Sequence, residues 1–88
     1  MIVWDEPKRV SNLAKHGLDF ASLEAGFDFV RAIVLPAKTA KSGRPRVRII
    51  GEMDGELVAL VASPLGAEAL AIVSLRPASK RERILHES

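Results

Sequence analysis

The chain has 88 residues, 48% of them hydrophobic and 27% charged, with no cysteine and a formal net charge of +2. That length allows one domain, residues 1–88, with a thin core, because a chain this short buries only about two thirds of its unfolded surface. The composition excludes disulfides and thiolate metal sites. No run approaches the roughly 20 apolar residues that cross a bilayer, and Met1 to Glu6 lacks the basic and apolar regions of a signal peptide. A cytoplasmic protein without a membrane role is expected.

Ile2-Val3-Trp4 is a short edge strand or an apolar plug. Asp5 offers an N-cap and Pro7 is tolerated in a first turn, so a helix is predicted over Glu6–His16. Val10, Leu13 and Ala14 share one of its faces, Lys15 and His16 suit its negative end, and Gly17 is a left-handed C-cap. A second helix follows, capped by Asp19, with Leu18 and Leu23 as a hydrophobic staple and with Phe20, Leu23 and Phe27 turned to the core. Gly26 weakens it, and it is expected to end near Asp28.

The period then changes. Arg31 to Leu35 forms a strand stopped by Pro36, and Ala37 to Pro45 a basic loop. In Arg46-Val47-Arg48-Ile49 the arginines face one way and the aliphatics the other, as a half-buried strand requires. Asp54-Gly55 is a two-residue hairpin signal leading into Leu57 to Ala62, which is apolar enough to be central. Ser63-Pro64-Leu65-Gly66 is expected to turn the chain into a last strand, Ala69 to Leu75. Ser79-Lys80-Arg81-Glu82 is a capping box opening a C-terminal helix. The fold class is α+β: a short N-terminal strand and two helices, then a four-stranded antiparallel sheet with its helices on one face, and a short C-terminal helix.

Charge is unevenly spread. Lys38, Lys41, Arg44, Arg46 and Arg48 fall in a stretch without acids, and Arg76, Lys80, Arg81 and Arg83 surround the single Glu82. Such stretches suit a polyanion, or simply solvate two exposed elements.

Three blocks of sequence belong together. The first is Trp4-Asp5, Lys8, Asn12-Leu13, Lys15-His16-Gly17 and Asp19-Phe20; the second is Gly43-Arg44-Pro45-Arg46 with the following strand and the Gly51 to Gly55 hairpin; the third is Ile72-Val73-Ser74-Leu75-Arg76-Pro77-Ala78-Ser79-Lys80-Arg81-Glu82-Arg83. In this order and over nearly the whole chain they resemble the BrnT family of toxins. The resemblance implies a RelE-like fold and a ribonuclease that stops translation. It also implies neutralisation by a BrnA antitoxin that carries a DNA-binding segment, so that operator DNA is reached only through the antitoxin. The chain departs from the family pattern at Ala71, where a basic residue is usual, at Ser63-Pro64-Leu65-Gly66, usually more polar, and near His86, where an aromatic is expected. These departures carry one alternative, a toxin-like module that binds nucleic acid or an antitoxin without cleaving; the basic strand and loop carry another, a purely structural partner.

Metal-free RNA cleavage needs a base for the 2′-hydroxyl, an acid for the leaving 5′-oxygen and cations for the charged phosphorane. His16 and His86 are the residues that titrate near neutrality, since the chain has no tyrosine. His16 either acts as acid or base beside Lys15 or satisfies the helix end; His86 either replaces the missing tyrosine or belongs to a fraying terminus. Arg76 can grip a phosphate with both arms of its guanidinium, or pair with a carboxylate. Glu82 is a general base or merely half of the capping box. The catalytic candidates are therefore His16, Arg76, Glu82 and His86, and catalysis requires them to converge on one cleft. Lys8, Lys15, Arg46, Arg48, Lys80 and Arg83 are the RNA-binding candidates, with Lys41 and Arg44 extending the groove beside Arg46 and Arg48. An acidic antitoxin would use the same charges. Trp4 could stack on a base but is more simply a packing residue. Histidines and acids lack ligand spacing, so neither metal nor other cofactor is expected.

Overall fold

The computed structural model describes residues 1–39 and 43–88, so Lys41 of the expected groove lies outside the described residues. The elements are β1 (Ile2–Val3), α1 (Glu6–His16), a 3-10 turn (Phe20–Ser22), α2 (Leu23–Gly26), β2 (Ile33–Pro36), β3 (Val47–Met53), β4 (Glu56–Leu65), β5 (Ala69–Pro77) and α3 (Lys80–Glu87). The class is α+β, as expected. The sheet differs in one respect: β1 joins it as a fifth strand, parallel to β5, and the order is β1-β5-β4-β3-β2. The other three pairings are antiparallel. β4 is central, in keeping with its apolar sequence.

Local signals decide most boundaries. Gly17 closes α1 in the left-handed conformation (φ 70°), its N–H bonding Leu13 O. Asp19 caps the next turn by accepting from Ala21 N at 2.9 Å. Asp54 and Gly55 both adopt positive φ (50° and 85°), as the tight β3–β4 hairpin demands. Ser79 and Glu82 complete a reciprocal capping box at α3.

Three expectations are corrected. The second helix is a 3-10 turn plus a single α-turn and ends at Gly26, because Phe27 turns extended to bridge Met53. Gly51 makes room for it: a Cβ there would stand 2.8 Å from the Phe27 ring. Pro64 and Leu65 do not turn the chain; β4 runs through them to Leu65, and the turn falls on Gly66 to Glu68. Asp5 makes no side-chain cap and instead lies 3.9 Å from Lys8.

The helices also do not share one face. On one face Phe20, Leu23 and Phe27 pack on Ile49, Met53, Val58, Leu60 and Leu75 to form the main core. Full burial of each such side chain contributes roughly 1.5–3 kcal/mol. Side chains alternate along β3, so Arg48 and Ile50 point to the opposite face. There a smaller cluster of Ile50, Ala59 and Ala78 sits with Ile33, Leu35 and Leu57, and α3 is anchored beside it. α1 lies at a third place, along the edge of β5 beyond the point where β1 stops. Its buried residue is Asn12, whose amide accepts from Leu75 N (3.1 Å) and donates to Leu75 O (2.8 Å) and Leu18 O (3.1 Å). One side chain thus pairs the strand edge as another strand would. The face shared by Val10 and Leu13 points to solvent, with these residues 54% and 38% exposed.

Candidate functional site

The sheet face opposite the main core carries the polar chemistry. At its lower end Glu82, only 2% exposed, lies between two guanidinium groups. Arg76 donates to both carboxylate oxygens, at 2.7 and 2.9 Å, and Arg48 donates to Oε2 at 3.1 Å. Ser79 N adds a fourth donor at 2.8 Å. These bonds, Arg76 first, hold the Glu82 carboxyl down to a pKa of about 2 against the cost of burial. Glu82 in turn raises the pKa of Arg76. Arg48 Nε also donates to Pro36 O, and Arg76 to Pro77 O. The trio keeps a net charge of one, and both arginine side chains remain about one third exposed (34% and 33%).

The upper end is different. A depression of about 480 Å³ is lined by Lys8, Arg44, Arg46, Ser63 and Ala71, with Asp5 as its acid. Arg46 Nε is buried and has no hydrogen-bond partner among the described residues. Ser63 is 3% exposed. Trp4 lines the same space, but its ring packs edge-on against Phe20 at 6.4 Å and its Nε1 donates to Glu6, so packing accounts for it.

A second depression lies beside α1, lined by Lys8, Ser11, Lys15, His16, Val73 and Ser74. α1 is held at this angle by Arg9, which bonds Glu6 at 2.7 and 2.8 Å and both oxygens of Asp19 at 3.2 Å. Arg9, with a smaller contribution from Trp4, lowers the Glu6 carboxyl to a pKa of about 2; the bond from Ala21 N, then Arg9, lowers Asp19.

Of the four catalytic candidates, Arg76 and Glu82 touch each other. His16 lines the α1 depression. His86 stands one turn beyond Glu82 in α3, with Nε2 buried and no hydrogen-bond partner among the described residues. No hydrogen bond or ion pair links either histidine to Arg76 or Glu82 among the described residues. Arg48 belongs to the Glu82 trio, Arg46 and Lys8 to the upper depression, and Lys15 to the α1 depression. Lys80 and Arg83 are exposed on α3. Sequence reasoning missed Ser63, a buried polar residue at the end of an apolar run. Reading Pro64 as a turn hid it.

The model of a family described as "Ribonuclease toxin, BrnT, of type II toxin-antitoxin system" matches residues 4–82. The chain belongs to this family. Its structure is also similar to the crystal structure of the Brucella abortus ribonuclease toxin BrnT, with 45% identity and a TM-score of 0.71 over 90% of this chain and 96% of that one. No curated protein matches the chain. Membership in the BrnT family makes the chain a ribonuclease toxin of a type II system, and hence one that has an antitoxin partner. Among the described residues no helix is long and apolar enough to cross a membrane.

Proposed function

We propose that this toxin cleaves RNA on the polar face of its sheet, in the cytoplasm and without a metal ion, thereby stopping translation, and that a BrnA-like antitoxin neutralises it by covering the same cations. The observation that supports this most is the upper depression. Lys8, Arg44 and Arg46 meet there around Ser63 with only the exposed Asp5 against them. A concave surface of this kind concentrates a polyanion and is too open to be a closed core feature.

The chemistry is assigned as follows. His16 moves a proton, being the imidazole that shares a depression with two lysines. Arg76 stabilises the phosphorane with the N–H groups that Glu82 leaves unspent. Glu82 is too acidic, at a pKa of about 2, to be an effective base near neutrality, so its part is to hold Arg76 and Arg48 in place. His86, whose Nε2 is buried, is left without a part in proton transfer. Lys80 and Arg83 contact flanking phosphates.

The test is tightly induced expression of the wild type, Arg76→Ala, Arg76→Lys and His16→Ala, reading growth and RNA integrity, with melting curves on the purified proteins. Growth arrest and RNA loss in the wild type, lost in a folded Arg76→Lys, would support the assignment, since lysine keeps the charge and loses the fork. Cleavage unaffected by chelators is expected. Full toxicity of the Arg76 variants would move the site elsewhere. A second reading, a binding module without cleavage, is favoured because Arg76 is already paired with Glu82 and His16 lines a different depression; a folded wild type that neither cleaves RNA nor arrests growth would establish it.

A further inference from the structure

The two basic depressions are not separate. Both are lined by Lys8 and by Val73, one on α1 and one on β5. Val73 is the extra residue of a β-bulge: Val61 pairs Ser74 while Ala62 pairs Ile72, so Val73 has no partner on β4. Bulges bend a strand and re-aim its side chains, and they concentrate near functional sites. Here the bulge lies where the sheet face meets α1. Along α1 the two lysines, seven residues apart, stand about 10 Å apart at 1.5 Å per residue. Lys15 is exposed and makes no ion pair among the described residues. The orientation of α1 follows from Asn12, which faces the edge of β5 and so brings Lys8, Ser11 and Lys15 to the rim of the depression.

We infer that these depressions form one track for a single RNA strand, entering over Arg44, Arg46 and Ser63, crossing the bulge at Val73, and continuing along α1 to Lys15 and His16. This rests on the RNA-cleaving reading and adds to it a second phosphate subsite, on α1, separated from the first by Lys8. The strand is single because the track is one-sided: its cations line a furrow between a helix and a sheet edge. His16 then lies within the path of the substrate and not beyond its end.

The experiment measures binding of a short and a long 2′-O-methyl RNA oligonucleotide, which lack the attacking hydroxyl, to the full chain across a salt series. The variants are Arg46→Ala, Lys15→Ala and, as a control cation outside the track, Arg31→Ala. A single-strand phosphate contact contributes about 0.7 to the slope of log affinity against log salt. Lys15→Ala should therefore lower the slope by about that amount and weaken the long oligonucleotide several-fold more than the short one, while Arg31→Ala changes neither. A Lys15→Ala that binds both oligonucleotides as the wild type does, beside an Arg46→Ala that is impaired, would remove the α1 subsite and leave the RNA reading standing. An equal loss in Arg31→Ala would show general charge attraction and overturn the track. Loss of antitoxin binding in Lys15→Ala with an unchanged RNA slope would assign the α1 cations to the antitoxin. Absence of RNA binding by the wild type would defeat the RNA reading itself.

Discussion

Arg46 and Arg48 stand two residues apart and face the same side of the sheet, yet their surroundings are opposite. Arg48 is held by a buried carboxylate and a backbone carbonyl. Arg46 opens on a depression shared with Arg44 and Lys8, its Nε without a partner among the described residues. One end of the polar face thus spends its cations on the fold, and the other leaves them available. The difference comes from α3: the capping box places Glu82 over β3 and β5 at one end, and among the described residues no buried acid reaches the other.

The strongest way to break this comparison is Glu82→Gln. The amide keeps the shape but loses the charge that two guanidinium groups require. A depression from 4.5 to about 2 corresponds to about 3 kcal/mol as an upper bound. The arginines can rehydrate, so a loss of roughly 2 kcal/mol is expected, or a melting temperature lower by about 10 °C for a domain of this size. Thermal unfolding at neutral pH measures it, and a change of only a degree or two would show that α3 is held by something else. The same variant fixes a pH dependence. Because the folded-state value is depressed, the wild type holds this stability above pH 4.5 and loses it as pH falls toward 2. The glutamine variant lacks that component and retains the decline due to Glu6 and Asp19, whose pKa values are also lowered but whose exposure to solvent screens their ion pairs.

Next in size is Asn12→Ala. It removes three hydrogen bonds and leaves both backbone groups of Leu75 buried without partners. An unmet buried group costs about 1–3 kcal/mol, and water entering the space the amide vacates at the strand edge meets part of that, so no more than about 2 kcal/mol is expected overall. Hydrogen exchange at the Leu75 amide should accelerate more than at Leu60 in the central strand. Equal exchange would mean that α1 is not closing the strand edge.

Asn12 also shows where the sequence stops being legible. Caps and turns were readable because each needs one residue type at one place: Gly17, Asp19, Asp54-Gly55 and Ser79-Glu82 all act locally. The Phe20, Leu23 and Phe27 stripe was readable because nothing competes for it. The orientation of α1 was not. Val10, Leu13 and Ala14 suggest one inner face, but an unpaired β5 edge beside the helix selects Asn12, and that edge exists only once β1 has paired for two residues and stopped. Pro64 misled for a similar reason: it reads as a turn, whereas in the sheet it pairs opposite Leu70 near the end of β4. At the site, a carboxylate partner for Arg76 was one of the alternatives open from the sequence, without Glu82 being named as that partner, and the family likeness singled out most of the residues that line the face. The second arginine on Glu82 and the buried Ser63 depended on register between strands far apart in sequence, which no local pattern encodes.

The smallest effects separate the two arginines themselves. Arg48→Gln should cost about 1 kcal/mol, because Glu82 loses one charge-assisted partner but keeps Arg76 and Ser79. Arg46→Gln should leave stability within about 0.5 kcal/mol, since among the described residues its side chain makes no hydrogen bond or ion pair that would be lost. Binding should rank them the other way. Arg46→Glu at low salt is expected to weaken both RNA and antitoxin more than Arg48→Glu does per folded molecule, since the Arg48 charge is already half met. Denaturant midpoints and binding isotherms on the same two preparations measure both quantities. If the two variants moved stability and affinity in parallel, the division of this face into a structural end and a binding end would fail, and α3 would have to be read as part of the binding surface.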